Sequence, residues 1–546
     1  MSDAPADATL PRRILPGLTV AFLLFAPQLA ALEATRNRYF LFWGAADTLS
    51  LCVAVLLLAA VGLSVGGLID RMGGPGLRAA RDQVFVILFL LAVAVNLPRL
   101  ASAPFMLGVL RPHRDVAIVV LQSLLALLVG MWLWLQLFRR PLLIRAARTA
   151  SLILSPLVPI VMGQTFFFES YAIRQDPIPA AAADRSAGGT PIILVVFDEW
   201  SYEASTTDED FLADLPALRA LRAESFFFTR AASPATTTYI SLPRLLFQTD
   251  DYRSLPGVMY SWRDFPGELG LREESVTPAA EPGRAPESMF AAPRRAGYKA
   301  CLLGFYLPYR LILGDQVDIV RTYSDYPRGD GFAERLLTNV AQTPQYWRLP
   351  GISGLWKRAY ALVFSRHWLR LNERLLADFE MLVGRISSRS IVFLHYPAPH
   401  APFIYDADGA YRGPFMINSR MAEDVDVDIM GGTPDDYRQS LGHLDRVVAR
   451  IVARLRSAGR YDDALIIMTS DHAWRNDPAV LHESGSTRVR HVPLLVKAPG
   501  QTSPRTITDP VALGRIAPLL EAAARGGLDE NEAARLIAAI AHPVAD

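Results

Sequence analysis

The chain has 546 residues, 51% of them hydrophobic and 20% charged, against about 45–50% and about 25% in an ordinary soluble domain. Its 55 basic and 54 acidic residues leave a net charge of +1, which excludes the clustered basic surface of a nucleic-acid-binding protein. The 39 prolines, 36 glycines, 26 phenylalanines and 9 tryptophans exclude a coiled coil, a collagen or an acidic disordered chain.

The hydrophobic excess is concentrated in residues 14–168. A helix needs about 20 apolar residues to cross the hydrocarbon core, and five segments meet that length: 14–33, 48–69, 83–103, 115–138 and 151–168. Basic residues are retained on the cytoplasmic side. With the N-terminus inside, the inner connections hold nine arginines (Arg12, Arg13, Arg71, Arg78, Arg81, Arg139, Arg140, Arg145, Arg148) and the outer ones five (Arg36, Arg38, Arg99, Arg111, Arg114). Five crossings then place everything after residue 168 in the periplasm or outside the cell. A cleaved signal peptide in place of the first segment leaves four crossings and the same outcome. The expected localisation is an integral membrane protein of a bacterial-type inner or plasma membrane.

Residues 169–190 are rich in Ala, Pro and Gly without an apolar period and read as a linker. Beyond it, short apolar runs end abruptly in polar residues: IILVVFDEW (192–200), YKACLLGF (298–305), SIVFLHYPAPH (390–400), ALIIMTSDHAW (464–474) and HVPLLVKAP (491–499). Such runs are the pattern of buried parallel strands. Between them lie helical patterns, including 210–225 and 435–459. Strands alternating with helices predict an α/β domain with a mostly parallel central sheet, over 191–525, followed by a helical tail over 526–546. Cys52 falls in the membrane part and Cys301 in the soluble part, so no disulfide and no CxxC site is expected.

Three of these strands end in metal-ligand chemistry. Asp198 and Glu199 close the first, His395 and His400 the third, and Asp471 and His472 the fourth. Carboxylates and imidazoles bind divalent ions, and the C-terminal ends of parallel strands gather side chains into one crevice. His395, inside its strand, reads as structural. His367, His443 and His482 read as solvent or helix-face residues, and Lys497 has no assignable role.

Taken together these segments resemble the alkaline phosphatase superfamily, in particular its sulfatase-like branch with lipoteichoic acid synthases and lipid A phosphoethanolamine transferases. The similarity covers residues 191 to about 520. In VVFDEWS, Glu199 stands at the transferase position and Asp198 at the sulfatase position, and either or both are ligand candidates. SPATTTYISLPRLLF (233–247) resembles the nucleophile segment and selects Thr238, with the neighbouring threonines Thr236 and Thr237 as alternatives. The Ser470-Asp471-His472 triplet implies two further ligands, and the resemblance of HYPAPHAP and RHVPLLV to family segments implies substrate contacts for His400 and His491. The implied metal set is Asp198, Glu199, Thr238, Asp471 and His472, around a zinc or manganese ion, with calcium or magnesium as further options.

The chain departs from the family pattern in three places. It lacks the Cys/Ser-x-Pro-x-Arg sequence of sulfatases proper, carries Ala473 and Trp474 after the triplet in place of glycine and glutamate, and has Pro234 and Arg244 where many transferases carry cysteines. The expected activity is transfer of a phosphoethanolamine- or phosphoglycerol-type head group from a membrane lipid to a cell-envelope acceptor. The alternatives are a phosphodiesterase or sulfuric-ester hydrolase using the same site, and a non-catalytic membrane binding protein.

Overall fold

In a computed structural model, which describes residues 10–32, 43–101, 140–167, 175–180, 188–249, 287–325, 327–347, 353–413, 433–475 and 490–541, the run IILVVF becomes the central strand β1 (Ile192–Asp198), buried at every position. The further strands are β2 (Thr206–Thr207), β3 (Asp210–Phe211), β4 (Phe226–Ala232), β5 (Lys299–Phe305), β6 (Ile319–Tyr323), β7 (Ser390–Pro399), β8 (Leu465–Ser470), β9 (His491–Lys497), β10 (Arg505–Ile507) and β11 (Val511–Ala512). The helices used below are, in chain order, α1 (Leu10–Leu32), α2 (Ala45–Met72), α3 (Pro75–Ala101), α4 (Arg140–Leu154), α5 (Leu157–Phe166), α6 (Pro216–Arg222), α7 (Thr238–Phe247), α8 (Phe332–Gln342), α9 (Ser353–Val383), α10 (Pro434–Ser457), α11 (Ala517–Arg525) and α12 (Glu530–Ile540).

The chain divides into two compact units, Met1–Ile173 with Arg328–Tyr360, and Arg174–Pro327 with Ala361–Asp546. The second holds a nine-stranded sheet in the order β10-β4-β9-β8-β1-β7-β5-β6, with β11 also on β4. Pairing is parallel from β8 through β1, β7 and β5 to β6. The sheet is thus mostly parallel, as expected, but HVPLLVK is not one of its parallel members: β9 runs antiparallel to both β8 and β4. Its first residue therefore lies at the end of the sheet where the parallel strands finish. Strand β4, FFFTRAA, has no counterpart among the strands expected from sequence. The helix expected over 210–225 shrinks to α6, because Pro216 sits at its first positions, where a missing N–H is harmless.

Helix α10 starts with a capping box, Thr433 accepting from the Asp436 N–H while the Asp436 carboxylate accepts from the Thr433 N–H. It packs on β7 and sends Tyr437 and Ser440 to the strand ends, where Ser440 Oγ donates to Pro399 O at 3.0 Å. Among its described residues, the first unit contains three helical stretches long and apolar enough to cross a membrane, Ala45–Met72, Pro75–Asn96 and Pro141–Phe166, and a shorter one, Ile14–Leu29. The expected span 115–138 lies outside the described residues. Residues 328–360, inside the stretch expected to be catalytic, group with these apolar helices. Cys52 and Cys301 are both free thiols.

His443 is not a solvent-facing residue. It is buried on α10 with its ring 3.6 Å from that of Tyr405, and its Nε2 has no hydrogen-bond partner. Burial, reinforced by Arg450 and Arg446, pushes its pKa down to about 3, whereas an unfolded histidine titrates near about 6.5. Between those values the unfolded chain binds a proton that the folded chain refuses, so stability is present above about 6.5 and is lost as pH falls toward about 3. Denaturant unfolding of the full chain between pH 6 and 4 should become shallower in its pH dependence in His443→Gln, by up to about 1.4 kcal/mol per pH unit; an unchanged slope would contradict the assignment.

Candidate active site

Strand β1 delivers Asp198 at its last position, and β8, its parallel neighbour, delivers Ser470 followed by Asp471 and His472. Neighbouring strand ends lie about 4.8 Å apart, so the two acidic ends meet. Asp198, Asp471 and His472 are all buried, with one ligand atom from each inside a common 4.8 Å. Thr238 is the first residue of α7, and its Oγ lies 3.4 Å from Asp198 Oδ1 and 3.2 Å from His472 Nε2. The Thr237 hydroxyl is buried without a hydrogen-bond partner, and the Thr238 hydroxyl is the one within hydrogen-bond reach of both Asp198 and His472.

The donor set fits a divalent cation. His472 Nε2 is 3.4 Å from Asp471 Oδ2 and 3.8 Å from Asp198 Oδ1. Tetrahedral ligands about 2.1 Å from a common centre lie about 3.4 Å from one another. His472 Nδ1 donates to Ala473 O at 2.9 Å, which leaves the Nε2 lone pair directed at the cluster. Asp471 Oδ1 accepts from the N–H groups of Glu199 (3.1 Å) and His472 (2.8 Å), while its Oδ2 is buried with no donor. Burial, together with the charges of Asp471 and Glu199, holds the Asp198 carboxyl well above the usual carboxylate range, and burial lowers His472. Two adjacent buried carboxylates and a neutral imidazole are what a cation would offset.

Glu199 takes a different place. Its backbone is left-handed, with φ 62°, a conformation that costs a non-glycine residue energy unless its surroundings enforce it. Here Asp471 accepts its N–H, and Tyr437 OH donates to its carbonyl at 2.6 Å while accepting the Ser201 N–H at 2.9 Å. The turn directs the Glu199 carboxylate to Arg475, whose Nε donates at 2.8 Å, and toward His400, whose Nε2 is 3.9 Å away. Burial would raise its pKa, but His400, Arg475 and His472 outweigh it and hold the carboxylate down at about 2.

His400 follows β7, with its N–H on Asp198 O at 3.1 Å and its Nδ1 on Ala401 O. His395, expected to be structural, is fully buried. Its Nδ1 meets Tyr309 OH at 2.7 Å, its Nε2 lies 3.8 Å from Asp198 Oδ2, and burial brings its pKa down to about 4. His491 points elsewhere: its nitrogens meet Glu203 (3.0 Å) and Thr229 O (2.8 Å), and its ring stacks on Tyr202 at 4.2 Å. His482 lies outside the described residues. Sequence reading missed Arg475, although its position three residues after His472, beyond the same strand end, was a usable signal. It also missed the support given by Tyr437, Tyr309 and Ser241, whose Oγ donates to Asp471 O.

A family model described as Sulfatase matches residues 191–521. Among solved structures, the chain is similar to phosphonate monoester hydrolase SpPMH from Silicibacter pomeroyi, at 16% identity over 62% of this chain and 74% of that one, with a TM-score of 0.39. It is also similar to the lipoteichoic acid synthase LtaP from Listeria monocytogenes (13%, 64% and 75%, TM-score 0.35) and to Ps i-CgsB (15%, 63% and 74%, TM-score 0.38). Comparison with curated proteins gives no match.

Replacing Asp198 by Asn removes one of the two repelling buried charges. A carboxyl whose folded pKa is raised costs the folded state stability as pH rises above its unfolded value near about 3.8. Metal-free Asp198→Asn should therefore unfold at a higher temperature than metal-free wild type at neutral pH, and should lose the rise in Tm that added zinc or manganese gives wild type. An equal metal-induced rise in both proteins would remove Asp198 from the ligand set.

Proposed function

The chain belongs to the sulfatase family, in the alkaline phosphatase superfamily, and from that premise we propose that it is a membrane-anchored transferase in which Thr238 carries a phospho-head group from a lipid donor to a cell-envelope acceptor. The observation that carries this reading is the Thr238 hydroxyl, at the start of α7, within hydrogen-bond reach of both Asp198 and His472.

A threonine hydroxyl is a weak nucleophile at neutral pH. Asp198, Asp471 and His472 would hold a divalent cation, with Thr238 beside it, and such an ion lowers the pKa of a neighbouring hydroxyl and offsets charge on the transferred group. Thr238 Oγ attacks phosphorus as the bond to the diacylglycerol oxygen breaks, and the diacylglycerol leaves with the proton that Thr238 gave up. An acceptor hydroxyl then attacks the phosphothreonine and returns a proton to Thr238 Oγ. The N-terminal dipole of α7 favours negative charge at its first residue. Arg475 supplies donors and positive charge, and His400 a ring nitrogen, beside the non-bridging oxygens, and Glu199 holds Arg475 in place. Membrane-length helices support a lipid donor, because anchoring raises the concentration of bilayer substrate at the site.

With water as acceptor, the same residues give a phosphodiesterase or sulfuric-ester hydrolase. The deciding experiment offers the full chain, in detergent with zinc or manganese, a labelled phospholipid and a panel of phosphodiesters and sulfate esters, then analyses the Thr238 peptide by mass spectrometry. Head-group mass on Thr238 is expected, with a rate loss of at least about 10³-fold in Thr238→Ala. Turnover surviving that substitution would sink the mechanism, and head groups released only to water would favour the hydrolase.

A further inference from the structure

Helix α8 is polar where it is buried and apolar where it is exposed. Its covered residues are Thr338, Asn339 and Gln342, whereas Phe332, Leu337 and Val340 are 45%, 67% and 36% exposed. A helix packed on a soluble protein in water turns its apolar stripe inward.

The inward contacts explain the reversal. Asp47, in the first turn of α2 and only 3% exposed, is paired with Arg328 at 3.0 Å and Arg335 at 3.1 Å. Asn339 Nδ2 donates to Ser50 Oγ at 2.7 Å and its Oδ1 accepts from Gln28 Nε2 at 3.0 Å, while Gln28 Oε1 accepts from Thr343 at 2.7 Å. Trp347 Nε1 donates to Leu24 O at 2.8 Å. Thr48 Oγ donates to Thr165 O at the end of α5. The closing turns of α1 and α5, the opening turns of α2 and the whole of α8 therefore meet at one end of the apolar helices.

That end belongs at the edge of a bilayer. At about 1.5 Å per residue the 28 residues of α2 span about 42 Å, against about 30 Å of hydrocarbon, so its first turns reach the head-group layer. Its own exposed apolar surface begins beside Asp47 at Leu49 and continues through Leu56, Leu57, Val61 and Val65. Helix α8 is held at this same end by its bonds to Asp47, Ser50 and Gln28, with its own apolar residues exposed.

We propose that the outward face of α8, carried by Phe332, Leu337 and Val340, lies in the boundary between head groups and acyl chains of the bilayer, so that a segment inserted in the catalytic half of the sequence is a second, interfacial membrane contact. The occupant is bilayer lipid: Asp47, Ser50 and Gln28 take the polar side of the helix and leave an apolar side of the kind that interfacial helices bury. The inference rests on reading α1 to α5 as membrane helices, and its test carries its own reference for that reading.

The full chain, with C52A and C301A, is reconstituted in nanodiscs of phosphatidylethanolamine and phosphatidylglycerol. A nitroxide is placed singly at Phe332→Cys, Leu337→Cys or Val340→Cys, and its accessibility to oxygen and to a water-soluble nickel chelate is measured. Val61→Cys in the middle of α2 is the lipid reference, and Arg525→Cys, at a side chain 68% exposed on α11, is the water reference. The α8 labels should fall on the Val61 side of the midpoint between the references. Ratios matching Arg525, or protection from both probes, overturn the inference while leaving the membrane reading intact; a water-like Val61 overturns the membrane reading itself. Wild-type chain in nanodiscs containing an acyl-chain diazirine phospholipid gives a check that depends on no substitution: lipid adducts on residues 332–340 support the inference, and adducts confined to α1–α5 overturn it.

Discussion

The catalytic half is organised around two carboxylates that the sheet forces together. Asp198 and Asp471 end adjacent parallel strands and are almost completely buried. Burying a charge beside a like charge costs several kcal/mol per ion unless compensated. Two backbone N–H groups bind Asp471 Oδ1, Thr238 donates to Asp198, and Ser470 Oγ, accepting the Trp200 N–H at 2.8 Å, fixes the loop between them. None of these is a cation. The unsatisfied Asp471 Oδ2 and the Nε2 lone pair of His472 leave a gap in the compensation that a divalent ion fits.

Glu199 shows how the same strand end supplies a second, separate charge. Were residue 199 extended like β1, its side chain would point to the opposite face of the sheet from Asp198. The left-handed turn instead brings its carboxylate round to Arg475 and His400, and its strain is held by bonds from Tyr437 and Asp471. The sequence pair Asp198-Glu199 thus divides into one carboxylate against the Thr238 hydroxyl and another against Arg475 and His400. From sequence either could have been the ligand, because the distinction lies in one backbone dihedral.

What could be read in the residues was what depends on local pattern. Continuous apolar runs located β1, β5, β7 and β8, and the polar residues closing three of those runs located Asp198, His400, Asp471 and His472 at one edge of the sheet. Strand direction is not a local property, which is why β9 was expected to be parallel; His491 was expected as a substrate contact from the resemblance of RHVPLLV, and its nitrogens instead meet Glu203 and Thr229 O. Strand β4 was hidden because FFFTRAA gives neither alternation nor a closing ligand. Arg475 acquires its role from Glu199, 276 positions away in the chain; its place three residues after His472 marks it as near the strand end but does not announce that partner. His443 looked like one polar residue on an amphipathic helix, and only the ring of Tyr405 above it makes it buried.

Helix α8 was the hardest element to read, for a physical reason. FAERLLTNVAQ has an ordinary amphipathic pattern, and in water such a pattern means apolar side inward; the pattern fixes two faces but not which solvent each one meets. With residues 328–360 belonging to the apolar unit, the chain passes between the two units three times, after Ile173, Pro327 and Tyr360. The described part of 169–190 is bonded to β6: Gln175 Oε1 accepts the Thr322 N–H at 2.9 Å and Asp176 Oδ2 accepts the Val320 N–H at 2.8 Å. Three covalent passages confine the second unit more than one passage would, and the inserted segment is itself anchored by Asp47 and Gln28. For a site acting on lipid head groups, as proposed, such confinement raises effective substrate concentration without adding any contact to the substrate. The cluster that Arg328 and Arg335 form on the buried Asp47 would then serve catalysis by holding an anchor and not by touching the chemistry.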